Sequence, residues 1–308
     1  MPISDWAVRG ALPARNFKPE GVRVLGRQRA LLAGYLDEGR LEQNQAVIYL
    51  VDQSEARQVH SEQGWIEALD VAGSVAFAVH AILKPDGSGS QYGLRKSVDG
   101  GATWKLAGPI PAQSVTQLLA VSAEEAWVLG EGVLMQTTDS GASWYPVTAP
   151  GERNSAVERL ARVGEAILIL GEGVLATRDG GSSWEQRGFD GLRVGAVSGG
   201  MVAAYSPTEV RLGVIDESGG TWYASFAKKM VPFRLLAEGD SAWMLALPMG
   251  EGSGERIGSG VLLYETRDRG KSWQSVLIRC SPREEAIDIA PDGSALAVAP
   301  EAQLLAPK

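Results

Sequence analysis

The chain has 308 residues, 44% of them hydrophobic, which is enough to bury one large all-β core or two smaller ones. Its formal charge of −8 and pI near 5.0 disfavour nucleic acid, because phosphate backbones are repelled unless the basic residues gather on one face. Cys280 is the only cysteine, which excludes an intramolecular disulfide; the two histidines, His60 and His80, argue against a zinc or other transition-metal site; no apolar run is long enough for a membrane helix.

The start, MPISDWAVRG, lacks the charged-then-apolar layout of a secretory signal. The expected location is therefore cytoplasmic, or periplasmic or extracellular if an export signal preceded Met1. SDWAVRGALP (4–13) reads like TWKLAGPIP (103–111), a closing strand without the strands that should precede it. VRVLGRQRALLAGYL and AVIYLVDQSEAR (22–36, 46–57) form a degenerate unit. A looser unit runs from Trp65 to Leu106. The clearest is VTQLLAVS (115–122), EAWVLGEG (125–132), VLMQTTD (133–139) and SWYPVTAP (143–150), four strands in a row. The same order returns over 157–188, and looser copies span Leu192–Ala227 and Phe233–Ile278. EEAIDIAPDGSALAVAPEAQLLA (284–306) supplies only three strands.

An eight-residue turn punctuates these units: SVDGGATW (97–104), TTDSGASW (137–144), TRDGGSSW (177–184) and TRDRGKSW (266–273), with a worn copy, IDESGGTW, ending at Trp222. Its tryptophans recur every 40, 40, 38 and 51 residues, a period that belongs to four-stranded β-propeller blades. The fold class expected is all-β, a seven-bladed β-propeller closed by the N-terminal strand pairing with the C-terminal blade, with residues 1–308 as a single domain. Six blades is the alternative count, if 22–61 is not a blade. Within each turn Asp99, Asp139, Asp179 and Asp268 are expected to accept backbone N–H bonds. Gly101, Gly141, Gly181 and Gly270 permit positive φ, and Trp104, Trp144, Trp184 and Trp273 fold over the hairpin.

The pattern S/T-x-D-x-G-x-S/T-W resembles the Asp-box, or BNR repeat, of sialidases, sortilin-type receptors, some xyloglucanases and the photosystem II stability and assembly factor family. The resemblance covers nearly the whole chain and implies the propeller fold; the same box occurs in enzymes and binders alike. Sialidases of this kind carry an early Arg-x-Pro, and ARNFKPEGVRVL (14–25) has none. The similar xyloglucanases use two propellers, and this chain has length for one. Glu124–Glu125 and Glu284–Glu285 are adjacent carboxylates that point to opposite faces of a strand and cannot flank one bond. No catalytic residue, metal or cofactor is therefore assigned.

Two insertions, KPDGSGSQ (84–91) and LPMGEGSGERIGSG (247–260), fall between second and third strands and open on the face opposite the octapeptides. Alignment of the inner strands places Arg23, Glu67, Gln117, Arg159, Arg193, Arg234 and Ala286 at one equivalent position. The four arginines, Arg23, Arg159, Arg193 and Arg234, form the candidate partner-binding set, suited to a carboxylate, a phosphate or an acidic peptide. The function expected is a non-catalytic scaffold for a protein partner, with an anionic ligand or glycan as a further candidate. A glycan-binding or sialidase-like hydrolase is the alternative.

Overall fold

The structure is a computed structural model that describes residues 6–26, 29–53, 55–150, 159–189, 191–198, 201–216, 219–226, 230–238, 240–248, 260–268, 271–280, 287–290, 294–299 and 303–307. Among the described residues there is no α-helix, and a single 3-10 turn lies at Leu41–Gln43. β1 (Trp6–Ala11) stands first. Blade one follows as β2 (Phe17–Gly26), β3 (Arg29–Leu36), β4 (Gln45–Asp52) and β5 (Glu55–Gln63). Blade two is β6 (Trp65–Ala72), β7 (Val75–Leu83), β8 (Ser90–Ser97) and β9 (Lys105–Ile110). Blade three is β10 (Gln117–Ala120), β11 (Ala126–Gly130), β12 (Val133–Thr137) and β13 (Tyr145–Pro146). Blades four and five are β14 (Arg159–Val163) to β17 (Glu185–Gly188), through β15 (Ala166–Leu170) and β16 (Gly173–Thr177), and β18 (Arg193–Ser198) to β21 (Gly219–Phe226), through β19 (Met201–Tyr205) and β20 (Val210–Asp216). Blade six is β22 (Met230–Glu238), β23 (Ser241–Pro248), β24 (Val261–Thr266) and β25 (Gln274–Ile278). β26 (Ile287–Ile289), β27 (Ala295–Ala299) and β28 (Gln303–Pro307) close the list.

Each of the six consecutive blades is an antiparallel meander, and the seventh sheet has the order β1-β28-β27-β26. The three-stranded C-terminal repeat is thus completed by the N-terminal strand. Segment 22–61 is a full blade, which settles the count at seven. The chain divides into two compact units: one holds blades four to six, the other holds the composite blade and blades one to three.

Burial grades across each sheet. The second strand is apolar on both faces, as in VAFAVHAIL of β7, whose first seven residues are buried. A fourth strand such as β5, EARQVHSEQ, is exposed or half-buried throughout. A strand covered on both faces reads as a continuous apolar run, and an outer strand does not. The core lies between blades rather than inside them. Leu31, Ile48 and Leu50 of blade one meet Ile66, Leu69 and Ala78 of blade two. Phe77, Val79 and Leu94 of blade two meet Leu118, Val128 and Met135 of blade three. In the other unit, Leu168 and Leu170 meet Val194 and Val202, and Val210 and Leu212 meet Met230 and Met244.

Candidate functional site

The octapeptides fold alike wherever described. Asp99 Oδ1 accepts from the Thr103 backbone N–H (2.9 Å) and the Ser97 hydroxyl (2.8 Å), and its Oδ2 from the Thr103 hydroxyl (2.7 Å). The Ser97 hydroxyl in turn accepts from the Gly101 N–H at 2.9 Å. Asp139 and Asp179 repeat this with Ser143 and Ser183, and Asp268 with Ser272. Thr137 and Thr177 accept from the Gly141 and Gly181 N–H groups at 2.8 Å. These hydroxyl and amide donors hold all four carboxyls below the ordinary aspartate range, Asp179 and Asp268 at about 2. Each aspartate is a hub of its own turn. Gly270 lies outside the described residues.

The tryptophans do more than cover the hairpin. The Trp104 and Trp184 indoles donate to the Gly101 and Gly181 carbonyls at 3.0 and 3.1 Å. The rings of Trp104, Trp144, Trp222 and Trp273 pack on the apolar cluster shared with the preceding blade. Gly101 and Gly141, at φ +86° and +91°, press on Leu31 and Leu94 of that preceding blade. The worn copy departs from the pattern: Asp216 pairs with Gly219 and Gly213 with Trp222, so the ladder runs on where its siblings form the Asp-centred turn.

On the inner strands, Arg159 and Arg193 begin β14 and β18, as Gln117 begins β10; opposite them on the second strands stand Leu170, Tyr205 and Leu129. Arg234 faces Leu245 just after a register shift in β22. The three arginines therefore occupy consecutive blades of one unit. The backbones there are close: a Cβ on Gly195 would stand 2.2 Å from the Pro232 carbonyl. Arg193 Nη1 lies 3.5 Å from Oε1 of Glu172, whose side chain is 83% exposed.

Arg23 differs. Its Nε donates to Asp70 Oδ1 at 2.7 Å, and the other oxygen of Asp70 accepts the Ala120 backbone N–H at 2.8 Å. One carboxylate on blade two thereby ties blade one to blade three. Asp288 Oδ2 accepts the Val24 N–H (2.9 Å) and Ser198 Oγ the Ala237 N–H (3.1 Å), the same device at two other junctions. Measured on this relay, Gln117 and Arg234 stand three residues before the donating amide, and Arg23 stands one before it. Arg23 is thus two residues out of step with the set in which alignment places it. Sequence reasoning missed Asp70 and Asp288, whose signal is a carboxylate in a largely apolar inner strand. Ala286 lies outside the described residues, as do Glu284, Glu285 and residues 249–259 of the second insertion. Glu67 occupies a register shift in β6 and accepts from the Trp65 indole at 2.5 Å; burial pushes its carboxyl up. Glu125 accepts from Trp127 Nε1 (2.8 Å) and Gln136 Nε2 (2.9 Å). The 84–91 insertion is a compact turn, with Lys84 N–H bonded to the Gly89 carbonyl at 2.9 Å.

Both histidines converge on Glu62 between blades one and two. His60 Nε2 lies 2.8 Å and His80 Nδ1 3.3 Å from Oε1, and Arg95 Nη2 bonds Oε2. His80 Nε2 faces the Gln63 carbonyl at 2.7 Å. Burial lowers the His80 pKa below 6.5, with Arg95 and His60 adding to it, against the pull of Gln63 and Glu62. Burial alone would raise Glu62, but His60, His80 and Arg95 together carry it below 4.5. Folded-state values lower than unfolded ones stabilise above the unfolded pKa, and that stability is lost as pH falls through the folded one. The melting temperature is expected to fall as pH drops below about 6.5, and again below the carboxylate range. In His80→Gln the first step flattens; identical wild-type and variant profiles between pH 7 and 5 would refute the assignment. Burial also pushes the Cys280 thiol up to about 12, so it stays protonated and unreactive.

No family model matches this chain, and no curated protein matches it. Solved structures do match. YCF48 from Cyanidioschyzon merolae aligns with a TM-score of 0.61 at 12% identity, covering 98% of each chain. Saccharomyces cerevisiae Sqt1 aligns at 0.60 and 8% identity, also over 98% of each. The Niastella koreensis GH74 enzyme aligns at 0.60 and 14% identity, over 97% of this chain and 53% of its own. The chain is a seven-bladed β-propeller. At these identities the likeness speaks for the fold alone, and the propellers that share it include a GH74 enzyme beside YCF48 and Sqt1.

Proposed function

We propose that this propeller is a non-catalytic scaffold, with residues 1–308 as one domain, octapeptides that are Asp-boxes of the BNR type, and a working face opposite those turns. The observation that supports this reading is the placement of Arg159, Arg193 and Arg234 on successive inner strands of one unit in a protein of net charge −8. Three guanidinium groups on a stiff support suit a partner that presents carboxylates, because a preorganised surface loses little entropy on binding. Arg193 gives up little at its contact with Glu172. Glu172 is exposed there, and exposed pairs are worth about 0–1 kcal/mol. Arg23 contributes to the reading as a junction between blades, which stiffens the platform. The Asp-boxes are its fasteners.

The test is to capture one stoichiometric protein partner and to measure its affinity for wild type and for the Arg159→Ala/Arg193→Ala/Arg234→Ala triple variant. Loss of charge-paired contacts predicts weakening by about 100-fold or more, with wild-type binding that falls as salt rises. Unchanged affinity in a folded triple variant removes this face from consideration. The hydrolase alternative draws on the GH74 neighbour, whose TM-score of 0.60 equals that of Sqt1. Release of sugar from a polysaccharide panel, or of fluorophore from synthetic sialosides, would replace the scaffold reading.

A further inference from the structure

We propose that a pocket at the octapeptide end of blades one and two binds a carboxylate carried on a short apolar tail, with Arg29 as its anchor. The cavity holds about 250 Å³. Leu25, Val71 and Val75 supply its apolar wall, and Arg29, Ser74 and Gly100 its polar edge. All belong to one compact unit. Leu25 and Arg29 flank the connection from β2 to β3, Val71 and Val75 that from β6 to β7, and Gly100 sits in the turn before β9. First-to-second and third-to-fourth connections share one end of a meander, so the pocket lies at the octapeptide end of its own two blades.

Arg29 is poorly served by the protein. The guanidinium carries five donors, yet among the described residues its one hydrogen bond runs from Nη2 to the Gly100 carbonyl at 3.4 Å, beyond the usual 2.7–3.2 Å range. Its Nε is buried and has no acceptor among the described residues. Asp52, directly across from it in the β3–β4 ladder, is exposed and forms no ion pair with it among the described residues. The Asp99 carboxylate in the adjoining turn is spent on Thr103 and Ser97. The next junction shows what a purely structural cation looks like: Lys96 Nζ reaches the Ala123 carbonyl at 2.6 Å and the Ser140 hydroxyl at 2.8 Å, and lies 5.5 Å from the Phe77 ring centroid. Arg29 has no such set among the described residues.

Gly100 borders the guanidinium. A Cβ at this position, whose φ is +67°, would stand 3.5 Å from both Nη1 and Nη2. The two terminal nitrogens form a planar fork, the shape that takes a carboxylate in two parallel hydrogen bonds. The volume lies below the roughly 300 Å³ at which drug-sized pockets begin. It fits one small acid or the final residue of a peptide. Those two sources share the chemistry that Arg29 reads.

Calorimetric titration with N-acetyl-leucine, N-acetyl-leucinamide and butyrate, with amide NMR of Gly73, Ser74 and Gly100, tests this. The acid is expected to saturate and to shift those resonances, while the neutral amide binds at least about tenfold more weakly, the share of one charged hydrogen-bonded contact. Arg29→Gln should weaken the acid equally. Arg29→Lys, which keeps the charge but not the planar fork, should fall between and serves if the glutamine variant misfolds. Butyrate as tight as N-acetyl-leucine assigns a free small acid; tighter N-acetyl-leucine assigns a peptide terminus. Equal binding of acid and amide, no saturation in the millimolar range, or an unchanged Arg29→Gln titration overturns the site. The Arg159/Arg193/Arg234 triple variant should keep acid binding, so failure of the partner face and failure of this pocket are read separately.

Discussion

A chain lacking residues 1–11 is expected to melt about 10 °C or more below the full-length protein and to self-associate as its concentration rises. β1 supplies the outer strand of the composite blade, beside β28. Its loss turns β28 into an open edge whose N–H and C=O groups can pair with another chain. Leu304, 1% exposed, and Val298, 2% exposed, belong to the cluster that also holds Leu12, Phe17, Val22 and Tyr49, so damage to this sheet reaches blade one. Each made hydrogen bond contributes about 1 kcal/mol, so loss of a six-residue strand removes a large share of the roughly 5–15 kcal/mol that holds a domain folded. At about 2–4 °C per kcal/mol the shift follows. A synthetic peptide of residues 1–12 added to the truncated chain should raise its melting temperature saturably. If the truncated chain melts like the full one and stays monodisperse, β1 is ornamental and the closure argument fails.

The architecture was legible because the octapeptide repeats at blade spacing and because SDWAVRGALP resembles a fourth strand with nothing before it. Blade one was harder: it has no octapeptide, and only its apolar second and third strands announce it. The candidate site was legible in part. Arg159 and Arg193 begin their inner strands, while Arg234 stands at the middle of β22, after its register shift. Arg23 stands out of step with Gln117 and Arg234, and the register shift at Pro19/Gly21 in β2, which leaves no mark in the sequence, accounts for one place of that difference. The role of Asp70 was hidden for another reason. An aspartate in a strand reads as a solvated side chain, and its two partners, Arg23 and Ala120, lie 47 and 50 residues away. The pocket at Arg29 is similarly assembled from three turns that no local pattern connects.

Gly108→Ala is expected to destabilise the protein by about 3 kcal/mol or more, although Gly108 sits in an ordinary strand and its backbone would accept any residue. A Cβ there would lie 2.1 Å from the Gly141 carbonyl oxygen, and backbone cannot swing aside as a side-chain tip can. Overpacking of this kind typically costs about 1–3 kcal/mol, and more when the obstacle is rigid. Nor can the turn retreat. Gly141 is itself pressed on Leu94, which is 0% exposed and is the ladder partner of Gly108, so the three residues close a loop of contacts between blades two and three. Gly132→Ala is the control: φ is +64°, but nothing lies within 4 Å of the added methyl, so only the left-handed penalty of about 1–2 kcal/mol remains. Chemical denaturation should therefore rank Gly108→Ala as the more damaging change, against the order that backbone conformation alone would give. The reverse order would mean that adjacent blades can part locally at little cost, and that the octapeptide organises its own hairpin without locking it to the neighbouring sheet.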